Sequence, residues 1–115
     1  MENKFNVVFL EEANIFLDNL EEKARDKIIY NIWKSRIVSD NELFKKLEDK
    51  IWEFRTLHNR TYYRLFAFWD KSASENTIVV ATHGIIKKTD KTPKNEIKKA
   101  ELLMKIYFEN KKGKK

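Results

Sequence analysis

Between Ile51 and Ile85 three β-type runs follow one another with almost no chain between them, and this restricts the fold more than any other feature. Ile51 to Leu57 reads IWEFRTL, Thr61 to Trp69 reads TYYRLFAFW, and Thr77 to Ile85 reads TIVVATHGI. The connectors, His58-Asn59-Arg60 and Asp70 to Asn76, are polar and short enough for hairpins. Sequential strands joined this way form an antiparallel meander, because a parallel pair would need a crossover of a dozen residues or more. Alternation sorts their side chains. Trp52 and Phe54 share one face of the first run while Glu53 and Arg55 share the other. On the next, Tyr62, Arg64, Phe66 and Phe68 alternate with Tyr63, Leu65, Ala67 and Trp69.

The flanking chain changes period. Phe5 to Leu10 is a short strand with Phe5, Val7 and Phe9 on one face. From Glu11 the spacing becomes helical, with Ala13, Phe16, Leu17 and Leu20 as one stripe. A second helix over roughly Glu21 to Ile37 turns Ala24, Ile28 and Ile32 inward, with Trp33 beside them. Ser39-Asp40-Asn41 stops it, and a further turn of helix is expected to carry Leu43, Phe44 and Leu47. After the meander, Thr92-Pro93 is read as a cap with proline in the first helical position. The helix it opens has the stripe Ile97, Ala100, Met104, Tyr107 and Phe108. The expected fold is therefore α+β, in the order β-α-α-β-β-β-α. Two N-terminal helices pack on one face of a small, mainly antiparallel, four-stranded sheet, and the other face is left partly free. A single domain over residues 1–110 is expected, with a lysine-rich tail over 111–115. Eight Phe, three Trp and four Tyr supply its core.

The charge is unevenly placed. Residues 1–83 hold 13 Lys/Arg against 14 Asp/Glu, whereas residues 84–115 hold 11 Lys against 4 acids. The whole positive excess follows Gly84, where a polyanion or an acidic protein segment would be attracted. The sequence has no cysteine, so disulfide frameworks and thiolate metal sites are excluded. No apolar run approaches the ~20 residues of a membrane span, and the N-terminus carries no signal-peptide core, so a cytoplasmic protein is expected. There is no phosphate-cradling glycine loop, no metal-ligand histidine pair and no nucleophile elbow. No cofactor and no metal are expected.

What remains is a set of basic residues along the meander: Arg55 and Arg64 in the strands, Arg60 in the turn between them, and His83, Lys87, Lys88 and Lys91 at or beyond the third strand. Adjacent strands lie about 5 Å apart, so several can meet. An arginine inside an apolar strand costs free energy unless it is paired or reaches water. Glu53 beside Arg64 would be an ordinary structural pair. Alternatively, Arg55 and Arg64 present their planar forks on the open face to phosphate oxygens.

The residues also resemble a known family. Ile51-Trp52-Glu53-Phe54-Arg55, Tyr63-Arg64-Leu65-Phe66 and the segment His83-Gly84-Ile85-Ile86-Lys87-Lys88-Thr89-Asp90-Lys91-Thr92-Pro93, followed by Glu96 and Ala100, look like the HigB-type branch of the RelE/ParE toxins. Ile85 and Asp90 depart from the pattern, standing where an aromatic and an uncharged polar residue are expected. The terminal catalytic tyrosine of the RelE type has no counterpart, since Tyr107 lies on a helix stripe. The resemblance implies a ribosome-dependent mRNA endonuclease, a toxin neutralised by a cognate antitoxin, often a helix-turn-helix protein, through which alone it would meet operator DNA. Its chemistry is attack by a ribose 2′-OH on the adjacent phosphate, which needs a base, cations on the phosphoryl oxygens and a proton donor for the leaving oxygen. The catalytic candidates are Arg64 and Arg55 as phosphate ligands, Lys87 for charge or proton exchange, and His83, whose ordinary pKa suits proton transfer although alternation can turn it inward. His58 is an alternative. Lys88, Lys91 and Arg60 would contact the RNA backbone. Two other readings stay open: a ParE-like inhibitor of a topoisomerase that cuts nothing, and a non-catalytic nucleic-acid-binding protein with Tyr62 or Tyr63 as a stacking platform.

Overall fold

A computed structural model of the chain describes residues 4–72 and 77–113. The last four residues of the Asp70 to Asn76 connector, and Lys114 and Lys115 of the expected tail, lie outside the described residues. The elements run β1 (Asn6–Phe9), α1 (Glu11–Asp18), α2 (Glu22–Ser35), β2 (Phe44–Glu48), β3 (Ile51–His58), β4 (Thr61–Asp70), β5 (Ile78–Lys87) and α3 (Lys94–Gly113). This is the α+β architecture expected, with one more strand. The sheet has five strands in the order β1-β5-β4-β3-β2, antiparallel except for the parallel pair β1–β5.

The extra strand is where a turn of helix was expected. Asp40 does start a turn, accepting the amide N–H groups of Leu43 and Phe44 on its carbonyl and that of Glu42 on its carboxylate. Only three residues follow before the backbone extends. Phe44 then pairs with Phe54, Lys45 with Glu53 and Lys46 with Trp52. The rings of Phe44 and Phe54 stack with centroids 4.4 Å apart. Leu43, Phe44 and Leu47 alone fit either period, and the aromatic partner on β3 decides.

The sheet divides two cores. On one face Ala13 and Leu17 of α1 and Ile28 and Ile32 of α2 pack with Phe44, Phe54, Leu65, Ala67, Val79 and Ala81, and Trp52 joins from the rim. On the other, Ile97 and Ala100 of α3 close over Ile51, Phe66, Phe68 and Val80, with Met104, Tyr107 and Phe108 further along the helix. The stripes of all three helices are thus those read from the sequence, except that Trp33 points outward at 53% exposure. The start of α3 differs too. Pro93 precedes its first turn, and the Thr92 hydroxyl donates to Glu53 Oε1 (3.1 Å). The helix also runs through Gly113, so Lys111 is no solvated tail residue. Its ammonium donates to the buried Asp70 carboxylate at 2.7 Å, beside the Tyr107 hydroxyl at 2.6 Å. Burial and that bond push the Tyr107 phenol up to about 12. No helix among the described residues is long and apolar enough to cross a membrane.

Two local irregularities position the site. Asn59 and Arg60, both in the left-handed region (φ 51° and 60°), make the tight turn joining β3 to β4, and this locks the register of the hairpin. Further along, Leu65 pairs with Gly84 but Ala67 with Ala81, so Thr82 and His83 together oppose Phe66 as a bulge. The bulge reverses the alternation of β5. His83 stacks on Phe66 (4.8 Å between centroids), and Gly84 turns toward α1, where a Cβ would stand 2.3 Å from the Phe16 ring.

Candidate functional site

Helix α3 covers only part of its face of the sheet. Beyond its first turn lies the hairpin end of β3 and β4, where Arg55 and Arg64 are direct cross-strand partners. Two like charges in that position repel, and the structure answers with two carboxylates. Beneath them Glu53, fully buried, reaches Arg55 Nε with Oε2 (3.5 Å) and Arg64 Nε with Oε1 (3.4 Å). Burial pushes the Glu53 carboxyl up, opposed by Arg64, the Thr92 hydroxyl and Arg55. From the loop before α3, Asp90 Oδ1 accepts from Arg55 Nη2 (3.0 Å) and from Arg64 Nη2. Burial raises the Asp90 carboxyl, but its bonds and charge interactions with Arg55 and Arg64 outweigh this and hold it below its ordinary value. The remaining terminal nitrogens are held by backbone carbonyls, Arg55 Nη1 by Asn41 (3.2 Å) and Arg64 Nη1 by Tyr63 (3.3 Å).

Arg64 is therefore both the pair of Glu53 and part of a cleft. Its side chain is 2% exposed, and Tyr62 lies over its guanidinium at 5.1 Å. A cleft of about 200 Å³ opens here, walled by Arg55, Thr56, Leu57, Tyr62, Arg64 and two acids, Asp90 and Glu42. Two neighbouring forks with one nitrogen each turned to the same point form a receptor for an anion with oxygens a few ångströms apart.

None of the other basic candidates walls this cleft. Lys87 ends β5 opposite Tyr62, on the face that carries Arg64. Lys88 reaches Thr61 Oγ1 at 3.4 Å, and Lys91 and Arg60 are exposed. His83 is not brought to the cleft. It is buried under α3 with both ring nitrogens engaged, Nε2 with Glu96 Oε1 (3.0 Å) and Nδ1 with Thr82 Oγ1 (2.9 Å). Burial lowers its pKa, against the raising effect of the Glu96 bond. His58 turns toward α2, with Nε2 3.8 Å from Glu21 Oε1. Among the described residues no three His, Asp or Glu side chains gather as a metal site.

Reading the strands did not anticipate Asp90 and Thr92 as parts of this network. Both come from a loop, which has no period to place them, although Asp90 did stand out as a departure from the family pattern, an acid where an uncharged polar residue is expected. Nor is the site the largest concavity. One of about 680 Å³ lies at the other end of the sheet, between Trp52, Trp69, Met104 and Phe108, with Lys46, Asp49, Lys50 and Lys71 on its rim.

The model of the phage-derived Gp49-like proteins (DUF891) matches residues 15–105, from α1 through the middle of α3 and including every residue of the cleft. The chain belongs to this family. Gp49-like proteins are a RelE-like toxin family of toxin–antitoxin systems, and the five-stranded sheet with two helices before the meander and one after it agrees with the RelE-like fold. Membership points to a toxin with a cognate antitoxin as partner. A comparison with curated proteins finds no match to this chain.

Proposed function

We propose that this Gp49-like toxin is a ribosome-dependent mRNA endonuclease of HigB type, and that its cleft binds the scissile phosphate. The observation that carries the reading is the Arg55–Arg64 pair. Two guanidinium groups in direct register, ion-paired from behind with a buried carboxylate and each bonded to a backbone carbonyl, turn one terminal nitrogen apiece to the Asp90 carboxylate at one small opening. A surface that only grips protein has no need of so costly a pairing of like charges.

In this mechanism the 2′-oxygen of a ribose forms a bond to the adjacent phosphorus as its proton leaves to a base. The bond from phosphorus to the 5′-oxygen then breaks, and that oxygen takes up a proton, giving a cyclic phosphate and a 5′-OH. Arg64 and Arg55 would hold the non-bridging oxygens, where charge grows in the transition state. Lys87, on the same face at the end of β5, would add positive charge or exchange a proton. Lys88, Lys91 and Arg60 would position the RNA backbone without reading bases. His83 has no part in it, because both of its nitrogens are occupied inside the fold.

Brief expression followed by primer extension on translated transcripts tests the proposal. New 5′ ends within reading frames that require translation, and that vanish with Arg64→Ala, are expected. Growth arrest with intact transcripts and DNA-break signalling would instead establish a topoisomerase inhibitor.

A further inference from the structure

The anion receptor is already filled by the chain itself. We propose that the two-arginine cleft is an exchangeable anion site whose resident ligand is the Asp90 carboxylate, and that one phosphodiester-class anion enters by displacing it. The inference rests on the reading of the cleft as a phosphate clamp and adds what occupies it beforehand.

Three observations carry it. Asp90 is held weakly in everything except charge. It is 59% exposed on the bend between β5 and α3, and among the described residues only its Oδ1 is engaged. Moving it into water therefore uncovers little buried surface. Second, the arginines do not depend on Asp90 for their orientation. The Asn41 and Tyr63 carbonyls accept from Arg55 Nη1 and Arg64 Nη1, and Glu53 stands 3.5 and 3.4 Å from the two Nε atoms as an ion pair, without a hydrogen bond to either. Third, displacement conserves charge where addition does not. Arg55 and Arg64 already face Glu53 and Asp90, and Glu42 also lines the cleft, so a phosphodiester added to the closed site would bring unpaired negative charge. One that replaces Asp90 exchanges one negative charge for another and leaves the sum as it was. A phosphodiester also offers two non-bridging oxygens to the two Nη2 groups, where Asp90 offers a single oxygen to both.

Exchange makes Asp90 a competitor, so removing its charge should tighten anion binding. The test uses the full chain with labelled arginine. The Nε–Hε signals of Arg55 and Arg64 are followed while inorganic phosphate, and then a 2′-deoxy dinucleotide that cannot be cut, is added to the parent and to Asp90→Asn and Asp90→Ala. Both variants alter an exposed loop residue, and retained amide shift dispersion confirms the fold. Each should bind phosphate on the order of tenfold more tightly than the parent, as expected from the loss of about 1.4 kcal/mol of competing interaction. Equal or weaker binding by both variants, with phosphate still shifting Arg55 and Arg64 in the parent, would make Asp90 a fixed strut and overturn the proposal while the clamp survives. Phosphate that shifts neither arginine in any of the three proteins would overturn the clamp as well.

Discussion

Arg64→Ala separates the two roles of the residue because each has its own magnitude. Breaking a buried ion pair by deleting one partner costs about 3–5 kcal/mol. Here Glu53 keeps Arg55 within 3.5 Å and the Thr92 hydroxyl at 3.1 Å, so roughly half of that, about 2 kcal/mol, is the expected loss. A domain of ordinary stability, about 5–15 kcal/mol, stays folded after such a loss. Urea unfolding measures it directly through the midpoint at unchanged slope. The chemical effect is larger: loss of one charge-stabilising donor lowers the rate about 10²–10³-fold. It must be read as a single-turnover rate on ribosome-bound mRNA beside the binding constant, since steady-state loss mixes the two. Arg64→Lys completes the argument. A point charge should recover most of the stability but not the rate, because it cannot present the fork that Tyr62 and the Tyr63 carbonyl hold in place. A folded Arg64→Ala protein that cuts at the parent rate would refute the site. So would full recovery of the rate by lysine.

Gly84→Ala should destabilise the fold by about 1–3 kcal/mol, since its methyl group would enter the Phe16 ring. The double variant with Phe16→Ala should lose less than the sum of the two single changes, and strict additivity in thermal unfolding would refute the contact. The His83 pKa is depressed by burial, although Glu96 and Glu12 raise it and Lys99 lowers it. The unfolded chain therefore takes up this proton first, and the stability contributed above about pH 6.5 is lost as pH falls through the folded value. Unfolding free energies measured from pH 7.5 to 5.5 should fall more steeply for the parent than for His83→Gln, and parallel curves would count against it. Lys88→Ala and Lys91→Ala should each reduce the salt dependence of RNA binding by about one in the log–log slope while leaving the single-turnover rate near that of the parent. An unchanged slope would remove these lysines from the interface.

The sequence shows most clearly what rests on a regular period. Alternation placed Trp52 and Phe54 on one face of β3 and Glu53 and Arg55 on the other, and set Arg64 with Tyr62 on β4, and apart from Trp33 the helical stripes named the contacts of all three helices. It failed where the period breaks or where the partner is distant. Leu43 to Leu47 became a strand because Phe44 meets Phe54. His83 moved under α3 because a bulge at Thr82-His83 shifts β5 by one residue, which no count along that strand reveals. The choice between a Glu53–Arg64 pair and an open-face arginine also had no answer in the sequence, and the structure shows why the alternatives were not exclusive. A guanidinium has a rear edge and two outer corners, so Glu53 can hold the first while the cleft receives one of the second. That division explains how two like charges persist in cross-strand register on a sheet. Each is neutralised from behind by a carboxylate that cannot leave and from the front by one that can. The two arginines are therefore already paired while Asp90 is bound, and another anion meets them only as Asp90 gives way.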